Sequence, residues 1–222
     1  MIMIASMIFD ASSPLPVGEM IQARTPRELR AWVLAKCDTL AKVPEAMRPG
    51  LLHHRPFKEF YEEIFAFSIF AMRRYEHRDD VLCVPNRDER LDFDAEVRDP
   101  SRTLRVQLTL ARDPNWHHRM AYLLEHGHVS MWGPVAVDLP ELRDFHLRLV
   151  KAAAERKAGR GRYGHGYELV ITVEDSWFEA DRDALVVDDF LEEEIATLPL
   201  CFDAVHVVGW TDRLYTSVAI RS

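Results

Sequence analysis

The chain has 222 residues, 48% of them hydrophobic and 29% charged, a composition typical of a globular protein with a full core. No apolar run approaches the roughly 20 residues that a membrane-spanning helix needs, so we expect the chain to stay out of the bilayer. A formal net charge of −8 argues against a surface that attracts nucleic acid everywhere. The three cysteines are far apart, which argues against a disulfide framework and favours a reducing cytoplasm.

We expect a single domain over residues 1–222, in which an N-terminal arm and helix, residues 1–56, pack on a core of residues 57–222. The apolar segment 1–9 lacks the basic region of a signal peptide, so we interpret it as a first strand or an ordered arm. A Pro-rich connector, residues 49–56, leads into the core.

Two helices are predicted before the first strands of the core. Thr25 precedes Pro26, and Glu28 stands three residues after Thr25, a pattern typical of a capping box that starts a helix over 26–42. A second, strongly aromatic helix is predicted over 57–76, with a wide apolar face that packs against a sheet.

The acidic residues of the second helix differ in their predicted direction. Glu63 lies at the margin of the apolar face, whereas Glu59 and Glu62 point further out. Glu63 therefore has two interpretations: a carboxylate that reaches a site at the sheet surface, or a boundary acid that solvates its own end of the helix.

Residues 91–97 and 104–110 alternate strictly between apolar and polar side chains, which predicts two strands, each with one apolar and one polar face. Pro100 suits a tight turn between them, so the strands are predicted to form a hairpin. A two-residue turn places Asp99 opposite Arg102. The polar face then pairs Glu96 with Arg105, Asp94 with Gln107 and Asp92 with Thr109.

The polar face of this hairpin gathers three carboxylates and an amide. Carboxylates held close together repel one another, and a hard divalent cation such as magnesium, which prefers oxygen ligands, would neutralise them. The alternative is an ordinary solvated sheet face, in which Glu96 and Arg105 form a cross-strand ion pair.

The remaining elements alternate between strands and helices. Predicted strands cover 80–85, 167–173, 202–208 and 213–220, and predicted helices cover 115–125, 141–157 and 183–197. The strand–helix–strand passage near the C-terminus predicts a parallel crossover. We therefore expect an α/β fold: a mixed central sheet with N-terminal helices, a β-meander and one parallel crossover.

Charge is distributed unevenly along the second half of the chain. Between Arg143 and Arg162 there are seven basic and two acidic residues, whereas between Glu174 and Glu194 ten acidic residues accompany one arginine. The basic stretch is a candidate for binding a phosphate backbone, and a solvated helix followed by a flexible loop is the alternative. The candidate nucleic-acid-binding residues are Arg156, Lys157, Arg160 and Arg162.

The order of elements resembles the PD-(D/E)XK restriction-endonuclease-like superfamily. There, a helix that carries an acid precedes a β-meander with an acid on its second strand and an acid or amide on its third. By this resemblance Asp94 is the metal-binding aspartate, with Asp92 as the alternative. Gln107 is the third-strand ligand, Glu63 is the helical acid, and Thr109 stands where the family has a lysine that activates water.

The resemblance implies a magnesium-dependent nuclease, a hydrolase that cleaves a phosphodiester. The implied catalytic residues are Asp94, Gln107, Thr109 and Glu63, and the implied metal ligands are Asp94, Gln107, Asp92 and Glu63. Arg105 or Arg112 is a candidate source of the charge that Thr109 lacks. The alternative is a non-catalytic protein of the same fold that binds a nucleic acid or a protein partner, a second copy of the chain included.

Four histidines, His117, His118, His126 and His128, offer zinc as an alternative metal, since neutral imidazoles are good zinc ligands. Their spacing matches neither a helical His-x-x-x-His site nor a zinc knuckle, which favours surface and loop roles. The sequence has no Gly-rich phosphate loop and no Gly-x-Ser-x-Gly motif, so we expect no nucleotide or flavin cofactor and no serine-hydrolase activity.

Overall fold

A six-stranded mixed sheet lies at the centre of the computed structural model, which describes residues 15–42, 55–88, 91, 93–113, 139–158, 163–175, 178 and 180–220. The strands are β1 (Leu82–Pro85), β2 (Ala95–Asp99), β3 (Arg102–Leu110), β4 (Tyr167–Val173), β5 (Ala204–Gly209) and β6 (Tyr215–Ala219). They stand side by side in chain order. The expected α/β fold with a mixed sheet is confirmed.

Strand directions divide the sheet into an antiparallel and a parallel part. β1, β2 and β3 form the predicted antiparallel meander, and β6 is antiparallel to β5. β4 is parallel to both β3 and β5. The sequence predicted one parallel crossover and the structure has two, because the connection that contains the helix of residues 139–158 also returns the chain to run alongside β3.

Four of the described helices agree closely with the sequence prediction, and the short first helix was not predicted. The helices are α1 (Val17–Met20), α2 (Pro26–Ala41), α3 (Arg55–Glu59, Phe60–Ile64 and Phe65–Tyr75), α4 (Leu139–Ala158) and α5 (Ala180–Phe190, followed by Leu191–Ile195). α2 begins with the predicted capping box, in which the Thr25 hydroxyl accepts from the Glu28 N–H at 3.3 Å. The middle segment of α3, Phe60–Ile64, is a π-helical turn that the sequence did not predict.

Helices cover both faces of the sheet. Buried apolar residues of α2 and α3 form one cluster with Val97, Leu104 and Val106 of the meander. Those of α4 and α5 form a second cluster on the opposite face, with Leu169 and Ile171 of β4. Because side chains alternate along a strand, Arg105, Gln107 and Thr109 of β3 lie on the face away from α2 and α3.

Strand β2 begins at Ala95, later than the predicted residue 91. Two groups of Asn86 occupy the carbonyls that precede it: the Asn86 N–H donates to Asp94 O at 2.9 Å, and its side-chain amide donates to Phe93 O at 2.7 Å. Since β1 ends at Pro85, the Phe93 and Asp94 carbonyls bond to Asn86 rather than to a strand residue.

A buried carboxylate closes the β5–β6 hairpin. Asp175, which follows β4, accepts hydrogen bonds from the backbone N–H groups of Thr211 at 2.7 Å, Arg213 at 3.1 Å and Leu214 at 3.3 Å. Gly209 lies so close that a Cβ atom there would overlap the Asp175 carboxylate. The hairpin therefore requires both an acid at 175 and a glycine at 209.

A second buried polar group joins α3 to the sheet. Arg74 binds the Glu168 carboxylate through both terminal nitrogens, and His206 Nε2 donates to the same carboxylate at 2.8 Å. Burial raises the pKa of Glu168, but hydrogen bonds from His206 and Arg74 outweigh it and hold that pKa below its ordinary value. The interaction connects α3 with β4 and β5.

Several predictions fall on residues outside the described part of the chain. They are the strand or arm over 1–9, the helix over 115–125, and the site candidates Asp92, Arg160, Arg162, His117, His118, His126 and His128. Among the helices that the structure describes, none is both long enough and apolar enough to cross a membrane.

Candidate functional site

The hairpin of β2 and β3 places Asp94 next to Gln107. The register is the predicted one, with Asp99 opposite Arg102 and Glu96 opposite Arg105. One step further, the Gln107 side-chain amide donates to Asp94 Oδ2, and the Leu108 N–H donates to the same oxygen at 2.7 Å. These two donors fix the carboxylate at the start of β2.

The cross-strand ion pair offered as an alternative for this hairpin is not the one that forms. Glu96 pairs with Arg98 on its own strand, with 3.0 Å between Glu96 Oε2 and Arg98 Nη2. The Arg105 guanidinium instead lies against the ring of Tyr167 on β4. Arg105 is thereby drawn away from Glu96, its opposite neighbour.

Glu63 is placed by the π-helical turn of α3. π-Helical turns widen a helix locally, change the direction of its side chains and often occur at functional sites. The pKa of the Glu63 carboxyl is raised to about 8. Burial is the largest cause, and the nearby charges of Asp94, Glu59 and Glu62 add to it. The positive charge of Lys157 acts in the opposite sense. Glu63 is therefore protonated at neutral pH as the structure stands.

The predicted outward direction of Glu59 is wrong. Glu59 was expected to point outward with Glu62, but only 8% of Glu59 is exposed. The reason is electrostatic: Arg55 pairs with one carboxylate oxygen of Glu59 and Arg87 with the other. These two arginines, one on each oxygen, offset the cost of removing the Glu59 carboxylate from water. A prediction from helix periodicity considers helix geometry alone and does not include such ion pairs.

A cavity of about 410 Å³ opens beside these residues, between α3, the end of β3 and α4. It is lined by Glu62, Glu63, Leu108, Thr109, Leu110, Arg112, Asp113 and Arg156. Arg112 Nη1 lies 2.9 Å from Glu62 Oε1, and Arg156 Nη2 donates to Leu110 O at 3.1 Å. Acidic and basic side chains therefore share one opening.

A smaller cavity of about 110 Å³ lies on the other side of Glu63. Its lining residues are Arg55, Glu59, Glu63, Asn86, Arg87, Asp88, Leu91, Phe93 and Asp94. Glu63 lines both cavities, so the Glu63 carboxyl lies at the wall between them, with Asp94 on the smaller side.

The structure thus brings together four of the predicted site residues, Asp94, Gln107, Thr109 and Glu63, at one end of the meander. Arg156 of the predicted phosphate-binding stretch lines the larger cavity, and Lys157 is near enough to influence Glu63 electrostatically. Arg112, one of the two arginines considered as a source of positive charge, also lines this cavity.

Sequence reasoning missed Arg55, Arg87 and Asp113 as neighbours of the site. Arg55 lies four residues before Glu59, the spacing of a helical ion pair, which is a signal that could have identified it. Arg87 and Asp113 follow β1 and β3 in irregular segments, and no local pattern predicts where such side chains lie.

Oxygen atoms dominate the groups that could bind a cation. Glu63 and Asp94 supply carboxylates, Gln107 an amide oxygen and Thr109 a hydroxyl, all ligands that suit Mg²⁺ better than zinc. Within the described ranges, no three His, Cys, Asp or Glu residues converge tightly enough to hold a metal ion by themselves. Any ion bound here would depend on two carboxylates completed by neutral oxygens.

Comparison with known proteins yields no relative: no family model, no curated protein and no solved structure matches the chain significantly. The geometry of the site therefore carries the functional argument.

Proposed function

We propose that the chain is a magnesium-dependent phosphodiesterase that cleaves nucleic acid. The observation that carries the proposal is the half-buried Glu63 carboxyl group at the wall of two cavities, whose pKa is raised to about 8 by burial and by the charges of nearby acids. A carboxyl kept protonated by burial and by acidic neighbours is a group that a cation would ionise and bind.

The donor groups fit magnesium. Mg²⁺ usually retains several water molecules and is bound through one or two carboxylates together with substrate phosphates. Glu63 and Asp94 provide that number of carboxylates, and Gln107 and Thr109 provide neutral oxygens beside them. When bound, the ion would polarise a phosphate and lower the pKa of a water molecule.

The protein's own side chains would orient the substrate and the water. Arg112 and Arg156 line the larger cavity, where a guanidinium can hold a phosphate through paired N–H donors. The Thr109 hydroxyl can hydrogen-bond a water molecule but carries no charge. Because arginine stays protonated, Arg112 and Arg156 would stabilise negative charge and would not accept a proton.

The arrangement of elements supports the same proposal. In chain order, an acid on α3, a second acid just before β2 and an amide on β3 follow one another, and this order supports the PD-(D/E)XK resemblance. The antiparallel meander followed by a parallel β4 brings these three places to one end of the sheet. The missing lysine remains the departure from the family pattern.

The test combines metal binding with cleavage. Calorimetry with Mn²⁺ and Mg²⁺ is expected to show binding to the unmodified protein and none to Asp94→Asn or Glu63→Gln. In Mg²⁺ or Mn²⁺, the unmodified protein is expected to cleave labelled DNA or RNA, and Asp94→Asn to lower the rate by about a hundredfold or more. Glu76→Gln, an exposed acid at the end of α3, is the matched control.

Unchanged metal binding in both variants, or cleavage that survives Asp94→Asn, would overturn the proposal. Circular dichroism and thermal unfolding of each variant separate loss of the site from loss of the fold.

A non-catalytic protein of the same fold is the second candidate, and one observation favours it. Asp94 Oδ2 already accepts hydrogen bonds from the Gln107 amide and the Leu108 N–H, so the carboxylate is satisfied without a cation. In that case neither metal would bind, while the folded protein would still bind a nucleic acid or a protein.

A further inference from the structure

A separate feature of the sheet lies beside the candidate site. Arg105 of β3 is exposed, and its guanidinium carbon stands 5.8 Å from the ring centre of Phe93 and 5.2 Å from that of Tyr167. Arg105 Nη1 also donates to the Tyr167 hydroxyl at 3.3 Å. A positively charged plane is therefore held between two partly exposed aromatic rings.

Strand geometry aligns this group with the candidate site. Arg105, Gln107 and Thr109 occupy alternate positions of β3 and share one face, with about 7 Å between successive positions. Phe93 immediately precedes Asp94 and lines the smaller cavity together with Glu63. A ligand that lies on Arg105 and Phe93 would thus continue directly into the site.

The neighbouring part of the same face is open. Glu96 stands opposite both Val84 and Arg105, and Arg98 stands opposite both Leu82 and Thr103, so all six share this face. Four of them, Leu82, Arg98, Thr103 and Arg105, are exposed. Glu96 pairs with Arg98, which leaves Arg105 as the net positive charge of these six residues.

We infer that this surface binds single-stranded nucleic acid and guides it into the candidate site. An arginine between aromatic rings can contact a phosphate while an unpaired base stacks on a neighbouring ring, a combination typical of proteins that bind single strands. Bases inside a duplex present their edges and not their faces, so the rings would favour a single strand. The inference deepens the proposed function, on which it rests, by naming the form of the substrate.

The experiment measures binding without metal. Fluorescence anisotropy of a labelled oligothymidylate of about 12 nucleotides, in EDTA and at several salt concentrations, is expected to show binding that is tighter than that of a duplex of equal length. Phe93→Leu is expected to weaken binding by about tenfold, the effect of one lost stacking contact. Arg105→Gln is expected to weaken binding and to reduce the slope of log Kd against log salt by about 0.7.

The salt slope separates a phosphate contact from a structural effect. Arg105→Lys keeps the charge and is expected to keep the slope, whereas a variant that merely disturbs the sheet would not be rescued in this way. Arg27→Gln, an exposed arginine on α2, is the matched control and is expected to bind as the unmodified protein does.

Equal binding of duplex and single strand, or an unchanged affinity and salt slope in Arg105→Gln, would overturn the inference. Failure of the proposed function is recognised independently, because calorimetry reports metal binding and the anisotropy experiment contains none. Single-strand binding without metal binding would support the single-strand-binding surface and contradict the phosphodiesterase proposal. Metal binding without oligonucleotide binding would support a metal site and contradict the single-strand-binding surface.

Discussion

Glu63 makes the stability of the protein depend on pH. Its pKa in the folded chain is about 8, against an ordinary value of 4.5, so between these pH values the folded chain retains a proton that the unfolded chain has released. The free energy of unfolding should therefore fall as the pH rises through this window, by up to about 1.4 kcal/mol per pH unit.

The measurement is urea unfolding between pH 5 and pH 8, values that span most of that window. Glu63→Gln, which imitates the protonated acid, is expected to lose this part of the pH dependence, whereas the exposed Glu76→Gln is expected to keep it. A Glu63→Gln variant with the pH profile of the unmodified protein would show that Glu63 is ionised in the fold.

At position 209 there is no room for a side chain larger than that of glycine. A Cβ atom at this position would overlap the Asp175 carboxylate, which holds three backbone N–H groups of the β5–β6 hairpin. Gly209→Ala is expected to lower the free energy of unfolding by about 3 kcal/mol, at the upper end of overpacking costs. Gly164→Ala, where a Cβ would meet nothing within 4 Å, is the control, and equal effects of the two would contradict this account.

Among the elements, α2 begins at a cap that is measurable on its own. The Thr25 hydroxyl accepts from the Glu28 N–H, and the Glu28 carboxylate accepts from the Thr25 N–H at 2.9 Å. Thr25→Ala is expected to cost about 1 kcal/mol in chemical unfolding. Thr39→Ala, within the same helix, removes only a hydroxyl bonded to Ala35 O and is expected to change stability by less than about 0.5 kcal/mol.

The hairpin and α3 show which elements can be predicted from sequence. Strict alternation and a Pro turn determined the β2–β3 register, so the pairing of Asp94 with Gln107 was predictable from residue types alone. Glu63 could be assigned to a helix, but its surroundings depend on the π-helical turn and on β3 and α4, which are brought together by packing between distant segments. Arg87, the distant one of the two charged partners of Glu59, was missed for the same reason.

At the scale of the molecule, Glu168 joins layers that the sequence could not connect. The segment over 167–173 was predicted as a strand, and nothing local indicated that its one acid would meet Arg74 of α3 and His206 of β5. Such contacts join residues far apart in the chain, so they lie beyond what periodicity or turn propensity can predict.

Glu168→Ala is expected to destabilise the whole fold by about 3 kcal/mol or more, because it leaves Arg74 and His206 without their shared acceptor. The urea midpoints measured by circular dichroism and by tryptophan fluorescence should shift together, since Trp32 of α2 and Trp210 of the β5–β6 turn both contact α3. Glu76→Ala, which removes an exposed acid at the end of α3, is the control. Separate midpoints for the two probes would show that the layers unfold independently.

The parallel pairing of β3 with β4 also governs the order of events during synthesis. The meander is complete once Leu110 has been made. One edge of β3 then pairs with β2, but the other edge has no partner strand until the ribosome has added Tyr167–Val173. An unpaired strand with buried-type side chains is a template for association with other chains. Nascent or truncated chains that end between Leu110 and Tyr167 would therefore expose an unpaired strand edge that can associate with other chains. The time needed to translate the segment that contains α4 would determine how long this edge stays unpaired.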